Sequence, residues 1–76
     1  MLEELASAVL TNDLPAQGLR AGDIGTVVMV HQAGQGYTVE FMTLNGETLA
    51  VVTLTAAQVR PIHANEIAHV RAVLPA

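Results

Sequence analysis

A small all-β fold is predicted by three features of the chain. The run Ala21-Gly22-Asp23-Ile24-Gly25-Thr26-Val27-Val28-Met29-Val30 is a glycine turn that leads directly into a β-branched strand. Tyr37-Thr38-Val39-Glu40-Phe41 alternates apolar and polar residues, the period of a half-buried strand. Asn45-Gly46 between two such segments is the strongest short hairpin signal. With a first strand before them and a last one at Val59–Ile62, their order predicts an SH3-like five-stranded barrel with a short C-terminal helix or tail. The expected division is residues 1–62 for the barrel and 63–76 for the tail.

Met1 to Leu5 reads as a helical turn or a frayed end, and Ala6 to Thr11 as the first strand. Asn12-Asp13-Leu14-Pro15 stops that strand with turn-forming residues. Leu14 and Leu19 are the apolar plugs of the loop that follows. Gly22-Asp23 turns the chain into a strand from Ile24 to His31. Gly25, inside it, predicts a bulge or a sharp bend where a side chain does not fit. Gln32 to Gly36 is a polar loop. A two-residue type I′ turn at Asn45-Gly46 sets Leu44 opposite Glu47, and counting outward pairs Phe41 with Ala50, Val39 with Val52 and Tyr37 with Leu54. Those six side chains share one face and are the expected heart of the core.

The same count puts Met42 opposite Leu49 and Glu40 opposite Val51 on the other face, joined by Met29 or Val27 according to where the bulge falls. That face should be wet, yet it is half apolar. Thr55 to Gln58 reads as a single helical turn before the last strand, which Pro61 confines to an edge. Beyond it Ile67, Val70, Val73 and Leu74 fall at helical spacing behind an Asn65 N-cap, and Pro75 ends the run. So short a helix is marginal alone and needs a surface to lie on.

Composition bounds the function. The chain has 76 residues, enough for one core. There is no cysteine, which excludes disulfides and thiolate chemistry. Val27–Val30 and Leu49–Val52 are the longest apolar runs, far short of the roughly 20 residues of a membrane span. The start, Met1-Leu2-Glu3-Glu4, is acidic where a secretory leader is basic, so the expected location is cytoplasmic. Arg20, Arg60 and Arg71 are the only cations apart from histidine, against seven acidic residues. A DNA binder neutralises about 6–10 phosphates, which three dispersed arginines cannot do. Only 13% of residues are charged while 51% are hydrophobic. A small domain cannot hide that much apolar surface, and exposed apolar patches mark interfaces. A homo-oligomer, or a complex with a protein partner, is the expectation.

No residue pattern points to catalysis, to a cofactor or to a metal. Ser7 is the only serine and stands outside any nucleophile elbow. His63, Glu66 and His69 are spaced three and three, unlike the paired-histidine zinc helix, and read as solvated. Asp13 and Asp23 sit in turns, where aspartate caps backbone N–H groups. Arg60 is within sequence reach of an ion pair with Glu40, Glu47 or Asp23, and a partner-binding role is the minority reading. The candidate partner-binding residues are therefore apolar: Met42, Leu49, Val51 and Met29 on the sheet, with Ile67, Val70 and Leu74 from the tail.

Asp13-Leu14-Pro15, Gly18-Leu19, Ala21 to Val28, Tyr37 to Phe41, Asn45-Gly46-Glu47-Thr48 and Val59-Arg60-Pro61-Ile62 stand together in one order. As a set over Ala6 to Ile62 they resemble a small uncharacterised bacterial SH3-like family, domain of unknown function 4926. The resemblance implies no established activity. It implies a small companion protein, immunity- or antitoxin-like; the alternative, from the SH3-like fold expected, is an accessory or maturation subunit of a larger enzyme complex. Met29, His31 and Met42, and the segment from His63 to Ala76, depart from the pattern. The function expected from the sequence is a non-catalytic protein–protein interaction module.

Overall fold

The computed structural model describes residues 2–73. Five antiparallel strands form one sheet in the order β4-β3-β2-β1-β5. They are β1 (Ser7–Leu10), β2 (Ile24–His31), β3 (Gly36–Met42), β4 (Thr48–Thr55) and β5 (Val59–Pro61). Single 3₁₀ turns at Pro15–Gln17, Gln32–Gly34 and Ala56–Gln58 connect them. Thr55 and Gln58 cap the last of these reciprocally, as a capping box.

The core lies on one face of the sheet. Ala8 and Leu10 from β1, Val27 from β2, Tyr37, Val39 and Phe41 from β3, Leu54 from β4 and Val59 from β5 form one buried cluster. Strands about 4.8 Å apart in a flat sheet would hold β4 and β5 roughly 19 Å from each other. One cluster fed by both edge strands therefore requires a strongly curled sheet. It does not close. β5 pairs with β1 and β4 with β3, and both outer sides remain edges. The all-β class and the five strands stand, but closure into a barrel by strand pairing does not occur.

Tyr37↔Leu54, Val39↔Val52 and Phe41↔Ala50 pair as the sequence count requires. The turn that sets this register is different. Thr43 N–H donates to Glu47 O at 2.8 Å and Gly46 N–H to Thr43 O at 3.0 Å. Of Leu44, Asn45 and Gly46, only Gly46 has positive φ, at +93°. The loop is thus the three-residue kind, a type I turn completed by a left-handed glycine, in place of the type I′ turn. Thr43 decides this, because its hydroxyl also accepts Glu47 N–H at 3.1 Å and closes the loop one residue earlier. The register then shifts again, with Met42 opposite Thr48 and Leu49 left over. Met42 does not face Leu49, and the extra residue restores the predicted pairs beyond it.

The bulge in β2 lies between Val27 and Met29, not at Gly25. Gly25 instead marks a close approach. A Cβ there would come within 2.6 Å of Val39 Cγ1 and 2.9 Å of both Glu40 O and Phe41 Cε1. Residues 2–5 are tied to the sheet and are not helical. Leu2 is buried in the core, its N–H reaches the Tyr37 hydroxyl at 3.3 Å, and Leu5 N–H donates to Val27 O at 2.7 Å. Leu14 and Leu19 bridge each other, with Leu19 in the core, as predicted.

The C-terminal helix is absent through Val73. A turn at Ala64-Asn65 is followed by irregular chain. Glu66, the first apparent helical residue, bonds backward: its carboxylate accepts His63 N–H at 2.7 Å and both guanidinium nitrogens of Arg60 at 2.9 and 2.6 Å. Those bonds hold the chain in a turn, and too few residues remain to nucleate a helix. Leu74 and Pro75 lie outside the described residues.

Candidate functional site

The outer face of the sheet carries the apolar surplus. Because side chains alternate along strands, burial of Tyr37, Val39 and Phe41 turns Thr38, Glu40 and Met42 outward. Their β4 neighbours Thr53 and Val51 face the same way, and the bulge in β2 leaves Val28 and Met29 both exposed. Val51 is 56% exposed, and Met29, Met42 and Leu49 are also open to solvent.

A row of polar bonds divides this face. His31 Nε2 lies 2.7 Å from Thr38 Oγ1, which lies 3.0 Å from Thr53 Oγ1. Glu40 Oε2 accepts the Thr48 hydroxyl at 2.6 Å. Met29, opposite Thr38, falls at one end of the face, while Met42, Leu49 and Val51 gather at the hairpin end. The sequence-predicted residues that the structure describes are therefore not one patch, and Leu74 lies outside the described residues.

At the hairpin end a cleft of about 500 Å³ opens between the Gly22–Ile24 turn, the Thr43–Asn45 turn and tail residues 68–73. Met42, Leu49 and Val70 line it together with Leu19, Phe41 and Leu44. Ile67, 94% exposed, is not part of it. Leu44 and Ile24 were missed by the sequence reading. Leu44 had a signal, an apolar residue at a hairpin tip with nothing to pack on, whereas Ile24 looked like ordinary strand.

One ion pair places the tail here. Arg71 Nε donates to Asp23 Oδ1 at 2.9 Å and Arg71 Nη2 to Asp23 Oδ2 at 2.5 Å, while Nη2 also reaches Gly18 O at 3.1 Å. Asp23 Oδ2 additionally accepts Arg20 N–H at 2.8 Å, so the aspartate does organise its turn. The Arg71 guanidinium holds the Asp23 carboxyl below its ordinary value, partial burial works against this, and the Arg20 N–H adds to it. A carboxylate so engaged is an anchor, since a base needs a free lone pair near neutral pKa.

Arg60 pairs with Glu66, not with Glu40, Glu47 or Asp23. That bond, helped by His63 N–H, lowers Glu66 to about 2. His63 Nδ1 stands 3.7 Å from Glu66, His69 lines the cleft and His31 bonds Thr38. Among the described residues no three His, Cys, Asp or Glu side chains come together, and no helix is long and apolar enough to cross a membrane. The arrangement offers apolar walls, main-chain edges and neutralised charges, which suit burial of a surface.

A family model described as a domain of unknown function (DUF4926) matches residues 4–61. The chain belongs to this family. No curated protein and no solved structure matches it. The DUF4926 match takes in all five strands and stops at Pro61, the last residue of β5. Asp23 and Arg60 lie inside the DUF4926 span, whereas Arg71 and Glu66, which bind them, lie in the tail beyond it.

Proposed function

We propose that the protein is a non-catalytic protein–protein interaction module of SH3-like type that buries the hairpin end of its outer face against another protein surface. The observation that carries this reading is the grouping of Met42, Leu49 and Val51, exposed on well-formed strands beside an apolar cleft. Apolar residues on the solvent side of a half-buried sheet weaken solubility unless something covers them. The tail adds Val70 to the cleft wall and leaves Val51 open. The order β4-β3-β2-β1-β5 and the strong curl support the SH3-like assignment. Folds of that kind mostly present surfaces for binding, although the fold alone does not decide function.

Light scattering on a size-exclusion column, over a concentration series, tests the reading. The wild-type chain is expected to assemble as concentration rises. Val51→Glu, which alters an exposed side chain, is expected to remain folded and shift the series toward monomer. A wild-type chain that stays monomeric throughout would overturn the reading as a self-associating module.

A further inference from the structure

The two edges of the sheet are built differently. β5 is three residues long and ends in Pro61, which has no donor and blocks further pairing. β4 runs for eight residues, Thr48–Thr55, without charge or proline. Edge strands are commonly guarded by lysine, and this chain contains none.

The register shows which main-chain groups of β4 are unused. Ala56 N–H donates to Gln35 O at 3.1 Å. Hydrogen-bonded pairs in an antiparallel ladder recur at every second residue. Tyr37↔Leu54, Val39↔Val52 and Phe41↔Ala50 continue that series, so the groups of Leu54, Val52 and Ala50 point into the sheet. Val51 and Thr53 point theirs at the open edge, and so does the Leu49 carbonyl, which lies opposite the Ala50 N–H across one peptide plane. Thr55, next in the same row, has its N–H taken by Gln58 Oε1 at 2.9 Å.

We infer that β4 pairs edge to edge with β4 of a second copy, antiparallel, about a two-fold axis at Val51. The inference rests on the interaction-module reading and names its partner. Two copies related by a two-fold axis normal to the sheet keep their inner and outer faces aligned, so residues facing each other must share a face. Centred on Val51, that residue meets its own counterpart, Leu49 meets Thr53 of the second copy, and Ala50 meets Val52. Every edge-facing residue thereby finds another. Moving the axis to Val52 would set Leu49 against Thr55, whose N–H is already bonded. The seam holds no charge, so two chains of net charge −4 meet without opposing carboxylates in it. It sets small Ala50 against larger Val52. One strand pairing makes a narrow seam, of the small class of interface, below roughly 1,200 Å², that holds weak or transient partners.

The test uses the full chain in a micromolar-to-millimolar series by sedimentation, with an isotope-filtered spectrum of mixed labelled and unlabelled chains. The seam predicts an intermolecular Hα–Hα contact between Ala50 and Val52, the closely spaced pair. Val51→Pro keeps an apolar side chain but removes an edge donor, and it should weaken the dimer about tenfold or more. Val51→Lys serves as the second edge variant should the proline disturb folding, which circular dichroism checks. Met42→Glu charges the outer face one strand away from the β4 main chain and tests whether that face, and not the edge, holds the two copies together. A dimer lost on Met42→Glu and indifferent to Val51→Pro and Val51→Lys overturns the seam, while the face remains an interaction site. A monomer throughout overturns the seam and self-association together.

Discussion

Gly25→Ala should destabilise the fold, although it adds only one methyl group to a strand. The new Cβ would sit 2.6 Å from Val39 Cγ1 and 2.9 Å from Phe41 Cε1 and Glu40 O. Carbon atoms pack comfortably at about 3.5–4.0 Å, so all three neighbours must give. Val39 and Phe41 are fully enclosed and cannot swing aside. Glu40 O belongs to the chain that pairs with Thr26 of β2, so moving it disturbs the ladder next to the substitution. Overpacking of this kind costs about 1–3 kcal/mol. Losing glycine's freedom in the unfolded chain returns about 0.4–1 kcal/mol. The net loss of about 1–2 kcal/mol should lower Tm by about 5–15 °C in a domain of this size. Thermal and urea unfolding followed by far-ultraviolet circular dichroism reads it directly. Val39→Ala removes the nearest clashing atom, so the double variant should lose less than the sum of the two single losses. An unchanged or raised Tm for Gly25→Ala, or strict additivity in the double variant, would refute the close-approach account.

Ala33→Gly should raise the urea midpoint. Ala33 has φ of +57° and follows Gln32 at +47°, and a left-handed non-glycine residue costs about 1–2 kcal/mol. Glycine's entropy takes back about 0.5–1 kcal/mol, leaving a gain of about 0.5–1 kcal/mol; a lower midpoint would count against it. Acid should loosen the tail before the sheet. Asp23 and Glu66 titrate lower when folded than unfolded, so their hold is complete above the unfolded values and is lost as pH falls through the folded ones. For Glu66 that window runs from 4.5 down to about 2, and for Asp23 it extends downward from 3.8. Nitrogen relaxation should show residues 63–73 gaining motion across this window while β2 and β3 stay rigid; a tail equally ordered at both ends would refute the two-anchor picture.

What could be read directly from the residues was whatever depends on neighbours along the chain. Alternation in Tyr37–Phe41, carried to β4 by the hairpin count, determined the inner and outer faces, because a strand repeats every two residues wherever it is placed. The pairs from Tyr37↔Leu54 to Phe41↔Ala50 followed from counting, although the loop and the bulge at Leu49 departed from the count by offsetting amounts. Exposure of Met42, Leu49 and Val51 followed from the same alternation. Contacts between distant segments had no such local signal. Leu2 entering the core, β5 choosing β1 over β4, and Thr43 closing the hairpin each depend on which groups meet in space. The helical spacing of Ile67, Val70 and Leu74 misled for the same reason: a few apolar residues match a period easily, and Arg60 claimed Glu66 first. Sequence alone thus determined the strands and the apolar character of their outer face. Only the tertiary structure decided that Asp23 would draw Arg71 across the end of the sheet, bring Val70 into the cleft that Met42 and Leu49 also line, and leave β4 an open edge, because an ion pair and a strand pairing are settled by distance in space.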